Sequence, residues 1–577
     1  MIRDKGQLAV FSRPTESKLP VFRNIASKIL ASRLGAYGLV AVAGLTALVP
    51  AVISGIPAGH DLPSHLRLAI SLYNAIHAGT FHPGWSAEAN GGFGDPGIRF
   101  YPPALSYLLA ATRTVSGSWY SGILLGFILL SVLGAIGAFF WARCFLPQNL
   151  AIVAGVLYAF IPYRINELYG ASLLAEYAAA SVLPFAFAFV VRVCRGQRIP
   201  DVAGLAIAFA LLVLSNLPVA VIGSLSLLFY ALLNIEKKTF WRSMFALSLA
   251  TAAGLAASAF YWTTMIAELS WMKNSAAVTD AKIASYFDYR RNFVFSPFTL
   301  GNTNSWLASM LTLATLSMAL VAIVMFCSPY RKKVGRGLKS VFALCAFTLF
   351  MTTDLSRPLW AVIPKLKEVQ FPWRWLAVSS CALPLLTAAS VPFWKEQLRG
   401  KFRWAAIIAL GGVLVALTYS VARMRDANYL PRFEFGSASN AVFSENSLDY
   451  WHEPVWMKER PSLMPTEVEA KGRAIAINAW EPEIRTFWIG PGPAQEIRAR
   501  TFYYPHWVAK ASDVPLNTRP DKDGVLLISV RAEATPVRLE FQEPRRTRIA
   551  MIITASTWLL VLLCLLYSLI YQRGSRS

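Results

Sequence analysis

Apolar runs long enough to cross a bilayer recur along nearly the whole chain, and they decide what it can fold into. They lie near 38–57, 120–142, 149–163, 175–193, 202–217, 218–234, 243–266, 307–328, 339–353, 375–392, 404–421 and 547–571. A membrane helix needs ~17–25 apolar residues, so the pattern gives about twelve spans. No water reaches the bilayer core, so each span must satisfy its own backbone and is expected to be helical. The 577 residues are 55% hydrophobic and 15% charged, which fits a polytopic membrane protein rather than a soluble one. At Asn216-Leu217-Pro218 either a tight external turn or a kinked single helix fits.

The net charge of +23 would suggest nucleic acid in a soluble chain, but its placement explains it otherwise. Basic clusters fall between spans at Lys28 to Arg33, Arg192 to Arg198, Lys237-Lys238, Arg331 to Lys339, Lys395 to Arg403 and Arg573 to Arg576. Short basic loops mark the cytoplasmic side. Alternation from a cytoplasmic N-terminus puts all of these clusters inside, so no nucleic-acid partner is expected. The first ~35 residues are basic without a cleavage-site pattern, and the first span reads as an uncleaved helix. All six cysteines lie in apolar runs or at their basic ends, so neither a structural disulfide nor a metal cluster is expected.

The expected fold is mainly α, a polytopic membrane protein with an extracytoplasmic β-rich domain before the last helix. Its parts are a basic N-terminus (1–35), a transmembrane domain (36–421) with a first external loop (58–118), a sandwich-like domain (422–545), and a final helix with a basic tail (546–577). The β assignment rests on alternating runs such as Ala474 to Ala479, Val525 to Val530 and Val537 to Phe541, separated by Pro, Gly and Asp. In the first loop, Leu66 to His77 and Tyr101 to Thr112 read as short helices at the membrane surface.

That loop concentrates chemistry: Gly59-His60-Asp61-Leu62-Pro63-Ser64-His65, then His82-Pro83-Gly84-Trp85, Asn90-Gly91-Gly92-Phe93-Gly94 and Phe100-Tyr101-Pro102-Pro103. Asp61 is the first candidate base, with His60 and His65 near enough to tune it or to hold a phosphate or metal. Asp61 before Pro63 equally reads as a helix N-cap, and one residue can serve both ends. His82 more often packs than acts. Tyr101 joins as a candidate substrate contact.

Three further external segments carry ionisable residues. Arg164, Glu167 and Glu176 lie at 163–176; groups at this depth are costly and default to function, although Arg164 and Glu167 would also pair at a helix end. Segment 267–306 holds Asp280, Asp288, Arg290 and Arg291, and 354–374 ends in Gln370-Phe371-Pro372-Trp373-Arg374. Arg374, Arg290 and Arg291 are either phosphate contacts or interfacial anchors. No phosphate-binding glycine loop, zinc-type spacing or nucleophile elbow is present.

Taken together, Gly59-x-Asp61-x-Pro63-x-His65, Trp85, the Asn-Gly-Gly-Phe-Gly turn and Phe-Tyr-Pro-Pro resemble the GT-C-like membrane proteins grouped with YfhO. Some of those carry the misleading label "6-pyruvoyl-tetrahydropterin synthase-related". The similarity continues through Tyr163-Arg164 to Glu176, Gln370 to Arg374 and Tyr429-Leu430-Pro431-Arg432, and ends in Phe502-Tyr503-Tyr504-Pro505-His506-Trp507.

The resemblance implies a GT-C-like fold in a bacterial inner membrane, both termini cytoplasmic. It further implies a glycosyltransferase that moves a sugar from a polyprenyl-phosphate donor to a glycan, lipid or protein acceptor. Asp61 would be the base, and Glu167 and Glu176 would position acceptor or metal. The cofactor is unknown, with a divalent cation (Mg or Mn) the only candidate, and its ligands are unknown. Tyr169-Gly170-Ala171-Ser172 lacks an arginine expected in relatives, and His506 replaces a glycine in what reads as a harmless turn change. The competing readings are a transporter or flippase of lipid-linked saccharides and a non-catalytic membrane scaffold.

Overall fold

The computed structural model describes residues 32–273, 287–295, 303–398, 403–441, 454–458, 461–462 and 464–574. Asp280, Lys28 and the terminal Arg576 lie outside them. Among the described residues, nine helices are long and apolar enough to cross a membrane, from Trp119–Ala142 to Arg545–Ile570, and Arg33–Thr46 and Ile199–Ser215 are shorter apolar helices. Arg336–Met351 adds a further helix of 16 residues. These twelve follow the apolar runs of the sequence in order. The shorter ones fall below spanning length by a turn or less because polar or helix-breaking residues end them early.

The uncertain junction is a turn. One helix stops at Ser215, Asn216 is extended, and its side chain caps the next helix by accepting from Val219 N at 3.0 Å. Leu174–Gly196 and Leu376–Leu398 lie almost wholly inside the bundle. Arg403–Arg425 and Arg545–Gly574 leave much apolar surface open, including Ile408, Leu414, Leu559 and Ile570, as lipid-facing helices do. Close approach within the bundle depends on small residues. A Cβ on Gly134 would lie 2.7 Å from Arg164 Nη2, so this glycine makes room for a guanidinium among the helices.

Behind the membrane helices, strands β3 to β11 run from Val468 to Phe541. They are Val468–Glu469, Ile475–Trp480, Ile484–Ile489, Gln495–Phe502, Trp507–Ala511, Val514–Leu516, Thr518–Pro520, Val525–Val530 and Thr535–Phe541. They form a four-stranded sheet ordered β3-β6-β10-β9 and a five-stranded sheet ordered β4-β5-β11-β7-β8. Inward residues alternate along the strands, with Val537, Leu539 and Phe541 of β11 facing one core with Ile497 and Ile528.

The first loop is fixed on two sides. Ile56–Pro57 (β1) pairs antiparallel with Tyr429–Leu430 (β2), just after the helix Arg403–Arg425. Further on, Trp85 and Phe93 enter the core of the β-rich region: Phe93 stacks on Phe502 at 5.2 Å and accepts from Phe502 N at 2.9 Å. The loop helices run Leu62–His77 and Ala104–Ser116.

A buried carboxylate joins these parts. Glu268, fully buried at the end of a short helix, accepts from Arg99 Nε at 2.8 Å, Arg99 Nη2 at 2.9 Å, Tyr504 Oη at 2.7 Å and Arg546 Nη2 at 2.9 Å. His506 Nε2 lies 2.9 Å from the same carboxylate. His506 is therefore a partner of the interface rather than an inconsequential turn residue. Burial works to raise the Glu268 pKa, but hydrogen bonds from His506, Arg99 and Tyr504 hold it below the ordinary glutamate range.

Candidate functional site

The site lies where the first loop meets the ends of the membrane helices. Gly59 lets the loop approach the 170s closely: its N donates to Ser172 Oγ at 2.8 Å, and a Cβ would lie 2.2 Å from the Ala171 carbonyl carbon. Ser172 Oγ donates back to Pro57 O at 3.0 Å, and Asp61 N to Ala171 O at 3.3 Å. These contacts seat Asp61 at the start of the helix that begins at Leu62. Its side chain makes no capping bond, so the carboxylate is not spent on the helix end.

Asp61 is 40% exposed, and His60 Nε2 lies 3.2 Å from its Oδ1. Burial raises the Asp61 pKa, while His60 and Arg374 work to lower it. Arg374 is held in turn: its Nε lies 3.2 Å from Glu176 Oε2, and its Nη1 donates to Val369 O at 2.8 Å. Glu176 sits in the first turn of its helix, where the dipole favours an anion, and also accepts from Tyr163 Oη at 2.5 Å. Burial pushes the Tyr101 hydroxyl up, with Asp61 and Glu176 adding to the rise and Arg374 opposing it.

Beside this group opens a cavity of about 220 Å³ whose lining includes His60, Tyr163, Asn166, Glu167, Arg374 and Arg423. Glu167 is fully buried, and neither carboxylate oxygen has a hydrogen-bond partner in the protein. An ionisable group so placed is costly unless a ligand completes it. Arg423, at the end of Arg403–Arg425, donates from Nε to Asn166 Oδ1 at 3.1 Å.

The sequence candidates divide in space. Asp61, His60, Tyr101, Glu167, Glu176 and Arg374 come together. Arg164 is buried behind them and forms no ion pair with Glu167: its Nη2 donates to Leu130 O and Ser181 Oγ, each at 2.8 Å, and its guanidinium lies 4.0 Å from the Tyr177 ring centroid. His65 is buried with its ring edge-on to Tyr101 at 5.7 Å, and burial lowers its pKa to about 4. It is a neutral packing and orienting group rather than a wall of the cavity. Arg290 and Arg291 are exposed on the short turn Tyr289–Arg291 and do not line the cavity. His82 packs edge-on against Phe260 at 5.0 Å.

Sequence reasoning passed over Tyr163, Asn166 and Arg423 as functional side chains. The first two stood inside a quoted motif, and Arg423 stood at a helix end where basic residues are ordinary anchors. Among the described residues no three His, Cys, Asp or Glu side chains cluster closely enough to hold a metal ion. The cavity thus offers one carboxylate, Glu167, two arginines and aromatic walls, and Asp61 stands beside its His60.

Residues 98–424 match the family model described as "6-pyruvoyl-tetrahydropterin synthase related domain; membrane protein". None of the curated proteins compared with the chain matches it. Solved structures similar to the chain include the arabinofuranosyltransferase AftD from Mycobacteria, at 18% identity and TM-score 0.44, covering 70% of this chain and 27% of that one. The apo oligosaccharyltransferase of Archaeoglobus fulgidus matches at 14% identity and TM-score 0.44, covering 76% and 62%. ArnT from Cupriavidus metallidurans bound to undecaprenyl phosphate matches at 15% and 0.40, covering 70% and 73%. These are GT-C glycosyltransferases, and the chain spans only about a quarter of the first and under two thirds of the second.

Proposed function

The chain belongs to the 6-pyruvoyl-tetrahydropterin synthase related membrane proteins, and on that premise and the chemistry of the cavity we propose that it is a membrane glycosyltransferase. It takes a sugar from a polyprenyl-phosphate carrier and passes it to a hydroxyl of a glycan, lipid or protein acceptor on the extracytoplasmic side. The supporting observation is convergence: Tyr163, Glu167, Arg374 and Arg423 line one cavity with His60, Glu176 bonds both Tyr163 and Arg374, and Asp61 lies against His60.

In this reading Asp61 takes the proton of the acceptor hydroxyl as its oxygen attacks the anomeric carbon. The bond from that carbon to the phosphate oxygen breaks, and the lipid phosphate leaves with the electron pair. Arg374 and Arg423 face the developing anion, Arg374 being held in place by Glu176 and Val369 O. Glu167 accepts hydrogen bonds from sugar hydroxyls, which would satisfy its otherwise unpartnered oxygens.

Deletion of the gene followed by mass spectrometry of envelope glycans and lipids tests this reading. Loss of one sugar from one envelope component, restored by the wild-type chain, is expected. Loss of the component together with accumulation of its lipid-linked saccharide on the cytoplasmic leaflet would instead point to a flippase, and an unchanged envelope would contradict both readings.

A further inference from the structure

A second polar cavity lies at the opposite end of the bundle. Glu176 stands in the first turn of Leu174–Gly196 and Arg195 in the last, so the two ends are separated by roughly 30 Å of helix. This cavity, of about 400 Å³, is lined by Arg33, Arg143, Arg192 and Arg195, together with Tyr37 and Phe140.

Four guanidinium groups there meet one carboxylate. Arg192 pairs with Asp201, and its guanidinium lies 5.3 Å from the Phe140 ring centroid. Arg143 Nη1 donates to Leu146 O at 2.7 Å, and Arg195 Nη1 to Cys144 O at 2.9 Å. A backbone carbonyl fixes the direction of a guanidinium but leaves its charge and most of its five donors unanswered. Arg33 makes no side-chain hydrogen bond or ion pair among the described residues.

Two ordinary explanations cover part of this. Basic residues gather on one side of a membrane, and cations suit helix C-termini, which accounts for Arg143 and Arg195. The charge rule covers Arg33 as part of the basic stretch Lys28 to Arg33, but the helix dipole does not favour Arg33 where it stands. It occupies the first position of Arg33–Thr46, where the dipole disfavours a cation, yet it lines the same cavity as three other arginines. Like charges converge on a shared hollow at a cost that an anion removes.

We propose that this cavity binds a phosphate-bearing anion, either the headgroup of an anionic phospholipid or a soluble phosphate compound. The guanidinium forks supply bidentate donors, and Tyr37 and Phe140 wall the site on its apolar side. The proposal is independent of the reaction assigned to the other end.

The test uses the full chain in detergent, with phosphatidylglycerol and inorganic phosphate as separate probes and phosphatidylcholine as the neutral control. Native mass spectrometry counts retained lipid, and thermal shift reads phosphate. Arg33→Gln removes a charge without breaking any side-chain bond among the described residues, so folding should survive; Arg33→Gln combined with Arg143→Gln deepens the effect. Each lost charge should weaken binding about fivefold, and Arg290→Gln, at an exposed position that lines neither cavity, should leave it unchanged. Selective loss of phosphatidylglycerol identifies a lipid headgroup, whereas a phosphate-induced thermal shift that Arg33→Gln abolishes identifies a soluble anion. If both variants match the wild type with both probes, the proposal is overturned.

Discussion

Arg374 Nε lies 3.2 Å from Glu176 Oε2, an ion pair between residues 198 apart in the chain. The glutamate side chain is 2% exposed and the arginine side chain 15%. Neither is satisfied alone at that depth, so the pair carries structural weight as well as the cation of the site. Arg374→Gln should strip Glu176 of its counter-charge and cost about 3–5 kcal/mol of stability, as breaking buried pairs does. Glu176→Gln should cost less, because an amide oxygen can still accept from Tyr163. Melting temperatures in detergent compare the two, and the opposite order would argue against the pair.

Glu268 should act as the fastening of the β-rich region. Glu268→Ala removes the common acceptor of Arg99, Tyr504 and Arg546 and leaves buried donors unpaired. Limited proteolysis should then release a β-rich fragment that stays protected in the wild type. The sign of the pH dependence follows from the lowered pKa: the stabilisation is present above the ordinary glutamate range and is lost as pH falls through the lower, folded-state value. The stability gap between wild type and Glu268→Gln should therefore hold at pH 5 and narrow only in strong acid, by denaturant or thermal melts.

Glu483 gives the opposite dependence. Burial raises its pKa to about 7, Gly84 N opposes the rise, and Glu543 adds to it. A raised pKa favours the protonated form in the folded state, so the associated stability is present below the ordinary glutamate value and lost as pH rises through about 7. Melting temperature should fall between mildly acidic and mildly alkaline buffer. Glu483→Gln should flatten that slope; an unchanged slope would assign it to other groups.

The helical layout was legible because apolar length is a local property. The candidate loop was legible too, because histidines, an aspartate and turn residues crowd a segment that a plain connector would not need. Pairings across long separations were not. Glu176 read as a carboxylate without a local cation, and its partner came from a different external segment. Arg164 and Glu167 are three apart and suggested a local pair, yet Gly134 opens a space into which Arg164 turns, toward Ser181 and Tyr177. Glu268 was passed over, although a lone carboxylate closing an apolar helix is itself a signal. The cap at Asp61 failed for a geometric reason: its backbone is already helical, at φ −88° and ψ −9°, so its side chain does not reach the helix N–H groups.

The central claim is that Asp61 is the base. Asp61→Asn is nearly isosteric, and no capping bond is lost with it. In proteoliposomes supplied with a polyprenyl-phosphate sugar donor and an acceptor, the variant should fold and melt like the wild type while transfer falls by roughly 10²–10⁴-fold. The wild-type rate should show an acid limb above the ordinary aspartate pKa, because burial raises that of Asp61 and only the ionised form accepts a proton. Transfer by Asp61→Asn at the wild-type rate, with the same acid limb, would contradict the assignment.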